Sequence, residues 1–167
     1  MQKLIVIPTI ISSLRIAALP LFFYFFSLGN TTSCLILLAF CTATDFFDGY
    51  LARKLKVASR FGAYYDAATD FILVMGIFAI FYALRYYPIW LLLLITASFV
   101  QFLATSFYAK KLYGLVGRYL GSALYIGIVL TLLFPTQATF SFVQFAFVGF
   151  FIVSLASRIV SLTRKRT

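Results

Sequence analysis

Asp45, Asp48, Asp66 and Asp70 are the four carboxylates of this 167-residue chain, and all of them fall between residues 45 and 70. A carboxylate in or near a bilayer costs on the order of 2.5 to 3.5 kcal/mol, so a cluster of them in an apolar chain requires a compensating partner. On a helix, Asp45, Asp48, Gly49 and Ala52 stand at i, i+3, i+4 and i+7, and Gly62, Asp66 and Asp70 at i, i+4 and i+8. Two helices meeting along these faces would gather the carboxylates around one small space, an arrangement that is strongly repulsive without cations. The space is therefore expected to hold metal. Oxygen-only ligands favour Mg²⁺ or Mn²⁺, with Ca²⁺ as a competitor. The chain has no His, and Cys34 and Cys41 belong to no ligand-like cluster, which argues against zinc. Four carboxylates suffice for two divalent ions, the arrangement that stabilises both the attacking and the leaving oxygen of an in-line phosphoryl displacement.

The elements that carry these residues are expected to be membrane helices. The chain is 63% hydrophobic and 11% charged, with a mean hydropathy of +1.04. At about 20 residues per apolar span there is room for roughly six helices. The fold class is accordingly all-α: a polytopic membrane protein forming a single domain over residues 1–167, without linker, internal repeat or low-complexity tail. A short interfacial segment, distinguished from a secretory signal by Arg15, leads into a first span over about 12–28. Gly29 to Ser33 form a capped turn. The second span covers about 32–55, with Asp45 to Arg53 in its final turns, and the third about 59–84, with Asp66 and Asp70 near its start. Spans over about 89–108, 118–134 and 140–162 follow, separated by Arg85 to Pro88, by Lys110 to Gly114 and by Pro135. The two cysteines, seven apart on one apolar helix, are expected to be packing residues.

The chain carries a net charge of +10. In a soluble protein that would suggest nucleic acid; here the basic residues sit at helix ends, as orientation signals and contacts for anionic lipid. With alternating spans, every Lys and Arg except Arg85 falls on the side of the N-terminus. Both termini are therefore expected in the cytoplasm, with the carboxylates opening toward it.

The run Asp45-x-x-Asp48-Gly49-x-x-Ala52-Arg53, eight residues, then Gly62-x-x-x-Asp66-x-x-x-Asp70 resembles the signature of the CDP-alcohol phosphotransferase family at every fixed position and spacing. The segments TDFFDGYLAR and SRFGAYYD are most similar to those of phosphatidylglycerophosphate synthases. The resemblance implies a membrane enzyme of phospholipid synthesis, a homodimer, which transfers the phosphatidyl group of a CDP-linked lipid to an alcohol acceptor and releases CMP. It implies metal ligation by Asp45, Asp48, Asp66 and Asp70, with Asp70 also the base; chemistry alone does not separate Asp70 from Asp66. Glycerol 3-phosphate is the expected acceptor. The fourth span lacks an Arg-Glu pair frequent in those enzymes, and inositol phosphate, serine or another alcohol is the alternative.

Further residues follow from the same motif. Gly49 and Ala52, without bulk, allow close approach of a nucleotide or of the neighbouring helix. Arg53 can meet phosphate with its donor fork, and Ser59 stands where the family commonly offers a hydroxyl. Pro8-Thr9-x-x-Ser12-x-x-Arg15 resembles the family's Pro-Asn-x-x-Thr-x-x-Arg entry, with Thr9 in place of Asn and Ser12 in place of Thr. Gly117-Arg118-x-x-Gly121 is loosely similar to a Gly-Lys-x-x-Thr pattern, and suggests that Arg118, with Arg158, Lys110 and Lys111, forms an anion pocket for a phosphate-bearing acceptor. Two other readings use the same residues. The acids could simply pair with Arg53, Lys54 and Arg60, or they could line the ion path of a cation transporter, which would spread them across membrane depth.

Overall fold

The computed structural model describes the backbone of residues 2–54, 60–109 and 115–163, and the side chains of 15–44, 62, 64–104 and 121–156. Among the described residues the chain is all-helical: α1 (Gln2–Ser27), α2 (Thr31–Lys54), α3 (Arg60–Ala83), α4 (Ile89–Ala109), α5 (Leu115–Leu133) and α6 (Gln137–Thr163). The helices run from 19 to 27 residues, and at 1.5 Å per residue each is close to or longer than a hydrocarbon core of about 30 Å. Two stretches, Tyr64–Ala83 and Gln137–Ala156, are long and apolar enough to cross a membrane by length and composition. Shorter apolar stretches lie in the described parts of the other four helices.

One expectation changes. The N-terminal interfacial segment and the first span are a single helix, α1, beginning at Gln2 and running through both Pro8 and Pro20. Each proline removes one backbone donor, a loss that membrane helices tolerate because neighbouring groups re-satisfy the freed carbonyl.

Residues 1–80 and 81–167 form two compact units. In the first, buried positions recur at helical spacing: Arg15, Ala18 and Phe22 on α1; Cys34, Leu38 and Cys41 on α2; Thr69, Leu73 and Ile77 on α3. Both cysteines are free and buried, as expected of packing residues, and the Cys34 thiol faces the Phe22 carbonyl at 3.8 Å. A Cβ on Gly76 would collide with the Leu19 side chain, so α3 lies close against α1 there.

The turn between α1 and α2 is fixed by local chemistry. The Asn30 amide donates to the Phe25 carbonyl and the Gly29 amide to the Phe26 carbonyl, both at 3.0 Å, and Gly29 has φ of 68°. This is the Schellman ending, which needs a left-handed residue after the helix. Asn30 then caps α2, its Oδ1 accepting from the Ser33 amide at 3.0 Å.

In the second unit the end of α3 uses the same device with a less suitable residue. The Arg85 amide donates to the Tyr82 carbonyl and the Tyr86 amide to the Phe81 carbonyl, each at 2.9 Å, with Arg85 at φ of 62°. The accompanying apolar contact is Phe81 against Tyr86, ring centroids 6.0 Å apart. A side chain in this conformation costs roughly 1 to 2 kcal/mol that glycine would not. Arg85→Gly is therefore expected to raise the thermal midpoint by a few degrees; an unchanged or lower midpoint in a thermal-shift series in detergent would count against the strain.

Beyond this turn Tyr86 stacks on Phe140 at 4.7 Å, and buried Tyr87 reaches Thr131 at 2.6 Å. The Thr131 hydroxyl proton is committed to the Gly127 carbonyl at 2.7 Å, so Tyr87 is the donor. α6 starts at a Thr136 cap, whose Oγ1 accepts from the Thr139 amide at 3.3 Å.

Candidate active site

The acids lie on helices, at the ends the sequence predicts. Asp45, Asp48, Gly49, Ala52 and Arg53 occupy the final turns of α2, and Gly62, Asp66 and Asp70 the first turns of α3. The side chains of Asp45, Asp48, Gly49, Ala52 and Arg53 lie outside the described residues, as do those of Thr9 on α1 and Arg118 on α5 and the whole of Ser59, Lys110 and Lys111.

The described geometry centres on Asp66 and Asp70. Their partner is Arg15 of α1, whose single Nη1 donates to Asp66 Oδ1 at 2.8 Å and to Asp70 Oδ1 at 2.5 Å. Arg15 is 1% exposed, whereas the Asp66 and Asp70 side chains are 37% and 32% exposed. A guanidinium buried this far must be paired, because desolvating a lone charge costs more than any nearby packing returns. The acids are held from the buried side and open to the other. Thr69, between them in sequence, turns its hydroxyl back to the Asp66 carbonyl at 2.8 Å and makes no demand on the carboxylates.

α2 reaches the same place. Cys41 is close enough to Arg15 and to Asp70 to feel both charges, and Asp45 is four residues further along α2. The α1–α2 hairpin is antiparallel, with Cys34 beside Phe22 and Cys41 near Arg15. α1 and α3 run parallel, since Arg15 meets Asp66 and Asp70 while Leu19 meets Gly76 further along.

Arg15 is the site residue that sequence reasoning missed. Read from the chain alone it is an orientation charge and the end of a motif, and the cations weighed as partners for the acids were Arg53, Lys54 and Arg60. The signal available was an arginine within an apolar stretch, since such a residue needs a specific counter-charge.

Divalent metal suits what is described. Two carboxyl groups a helical turn apart already converge on one guanidinium nitrogen while keeping a third of their side chains exposed. Among the described residues no group of three or more ligating side chains occurs; Asp45 and Asp48, the other two ligands expected, are outside that set.

Comparison with known proteins identifies the family. The family model for CDP-alcohol phosphatidyltransferase matches residues 5–162, running through both units. The chain is 34% identical over 97 residues to a CDP-diacylglycerol--glycerol-3-phosphate 3-phosphatidyltransferase of Pectobacterium atrosepticum, covering 56% of this chain and 52% of that one. It is 36% identical over 90 residues to the Yersinia pestis protein of the same name, covering 52% and 49%. It is 39% identical over 76 residues to the chloroplastic/mitochondrial protein 1 of that name from Arabidopsis thaliana, covering 44% and 26%. The matched segment thus spans about half the length of the bacterial relatives and about a quarter of the plant one.

Proposed function

Since this chain belongs to the CDP-alcohol phosphatidyltransferase family, we propose that it transfers the phosphatidyl group of CDP-diacylglycerol to a hydroxyl of glycerol 3-phosphate and releases CMP. The observation that carries this reading is the convergence of Asp66 and Asp70 on one point, held from behind by Arg15. The relatives' names supply the donor and acceptor. A cation transporter, which would spread its acids across the full membrane depth, is disfavoured, because the acids here stand only in the C-terminal half of α2 and the N-terminal half of α3.

Asp45, Asp48, Asp66 and Asp70 would hold two Mg²⁺ or Mn²⁺ ions, which supply charge neutralisation on the diphosphate when bound. The chain's own residues do the rest. Asp70 accepts the proton of the acceptor hydroxyl as its oxygen bonds to the lipid-side phosphorus and the bond to the CMP oxygen breaks. Arg53 meets a phosphate with its donor fork, Gly49 and Ala52 leave room for the nucleotide beside α2, and Thr9 and Ser59 offer hydroxyls to it. Arg118 binds the acceptor's phosphate. Six membrane-crossing helices, both termini and the site on the cytoplasmic side, a single domain and a homodimer complete the proposal.

The test is CMP release by the full chain in lipid, with CDP-diacylglycerol, Mg²⁺, and glycerol 3-phosphate, inositol phosphate or serine. Release is expected with glycerol 3-phosphate, and Arg118→Ala is expected to raise the acceptor KM roughly tenfold with little change in kcat, as loss of a charge-assisted contact would. Release with another acceptor alone would overturn the acceptor assignment, and release with none the reaction itself.

A further inference from the structure

Arg15 carries more than the packing of α1 on α3. Its Nη1 engages one oxygen of each of two carboxylates, and it does so from a position 1% exposed, where water screens its charge poorly. Any divalent ion bound by Asp66 and Asp70 meets this charge and competes with it for the same two oxygens. Two effects oppose each other. Holding the carboxylates in fixed rotamers favours a metal by sparing it the cost of ordering them, while a full positive charge a few ångströms away disfavours a doubly charged ion. Ordering two short side chains is the smaller of the two, so the charge decides the sign.

We propose that Arg15 is a positioning residue and built-in counter-cation that fixes Asp66 and Asp70 and weakens their hold on divalent metal. The proposal rests on the metal-dependent reading given above. It explains why a cation buried this far is placed against Asp66 and Asp70. It also gives the site a division of labour: the protein alone binds metal loosely, and the diphosphate of the incoming nucleotide supplies the remaining ligands, as hard divalent ions commonly require.

The experiment is Mn²⁺ binding to the full chain in lipid nanodiscs, followed by electron paramagnetic resonance, for wild type, Arg15→Met and Arg15→Lys. Arg15→Met is expected to bind Mn²⁺ at least tenfold more tightly than wild type, and Arg15→Lys, which keeps the charge, within about threefold of it. A defect in packing would weaken binding, so the direction of the change separates the proposal from a merely structural role. Equal or weaker binding by Arg15→Met, with wild type binding normally, overturns the proposal and leaves the metal reading intact. Absence of Mn²⁺ binding by wild type at millimolar concentrations overturns both. Arg15→Met purified in Mn²⁺ should fold, since metal takes over the neutralising role. If it does not fold even then, while Arg15→Lys does, the role is not one a divalent ion can assume and the proposal fails.

Discussion

Asp70→Asn is expected to lower the rate of CMP release roughly a thousandfold or more while leaving the protein folded. The substitution is nearly isosteric, and Arg15 retains its contact to Asp66 at 2.8 Å, so the buried guanidinium keeps a counter-charge and the thermal midpoint should shift by only a few degrees. The amide cannot accept the proton of the acceptor hydroxyl, a loss worth about 10² to 10⁴ in rate. It is also a poorer ligand for a hard cation than a carboxylate. The two losses fall on the same step and act through the same atoms, so they do not simply multiply. Activity within tenfold of wild type, in a folded sample, would remove Asp70 from the role of base.

Removal of divalent metal is expected to have an effect of similar or larger size. The proposed ligands bring four negative charges to one place and Arg15 returns one positive charge, leaving a net charge of −3 facing an anionic diphosphate. One close pair of like charges at an effective dielectric of about 20 repels by about 4 kcal/mol at 4 Å, which is about a thousandfold in binding or rate at about 1.4 kcal/mol per tenfold. Two divalent ions change that balance to +1. Dialysis against a chelator should therefore abolish CMP release and CDP binding together, with recovery on adding Mg²⁺ or Mn²⁺. Ca²⁺, larger and less strict in geometry, should compete for the site and support turnover poorly. CMP release that persists undiminished in excess chelator would rule out a metal role for the acids.

Much of the all-helical layout was legible because long apolar helices are announced by uninterrupted apolar length and ended by a few residue types. Gly29 and Asn30, Tyr86 to Pro88, and Pro135 all fall in links between helices, for reasons of backbone conformation that act locally. The placing of Asp45 and Asp48 in the last turns of α2, and of Asp66 and Asp70 in the first turns of α3, followed from the same boundaries.

What stayed hidden depends on contacts between distant segments. The charge asymmetry says on which side of a membrane Arg15 should lie, but not which ion it meets. Its partners stand 51 and 55 residues away, in a register set by how α1 and α3 approach at Leu19 and Gly76. The continuity of α1 through Pro8 was missed because proline removes a helical hydrogen bond in any setting, and only the surroundings determine whether the helix bends or stops there. The left-handed Arg85 was invisible for a related reason: the ending of α3 is satisfied by backbone atoms and the Phe81–Tyr86 contact, and no side-chain preference of arginine marks it.

The tight α1–α2 link has a consequence for how the chain enters a bilayer. With its Schellman ending at Gly29 and its Asn30 cap, the hairpin has its hydrogen bonds closed at the tip without help from the rest of the chain, so both helices can partition from the translocation machinery as one piece. In the proposed topology only that uncharged tip then has to traverse the lipid. In that topology Asp45, Asp48, Asp66 and Asp70 would stay on the face where they were synthesised, and Arg85 would be the one ionised side chain of residues 1–167 to pass across the membrane.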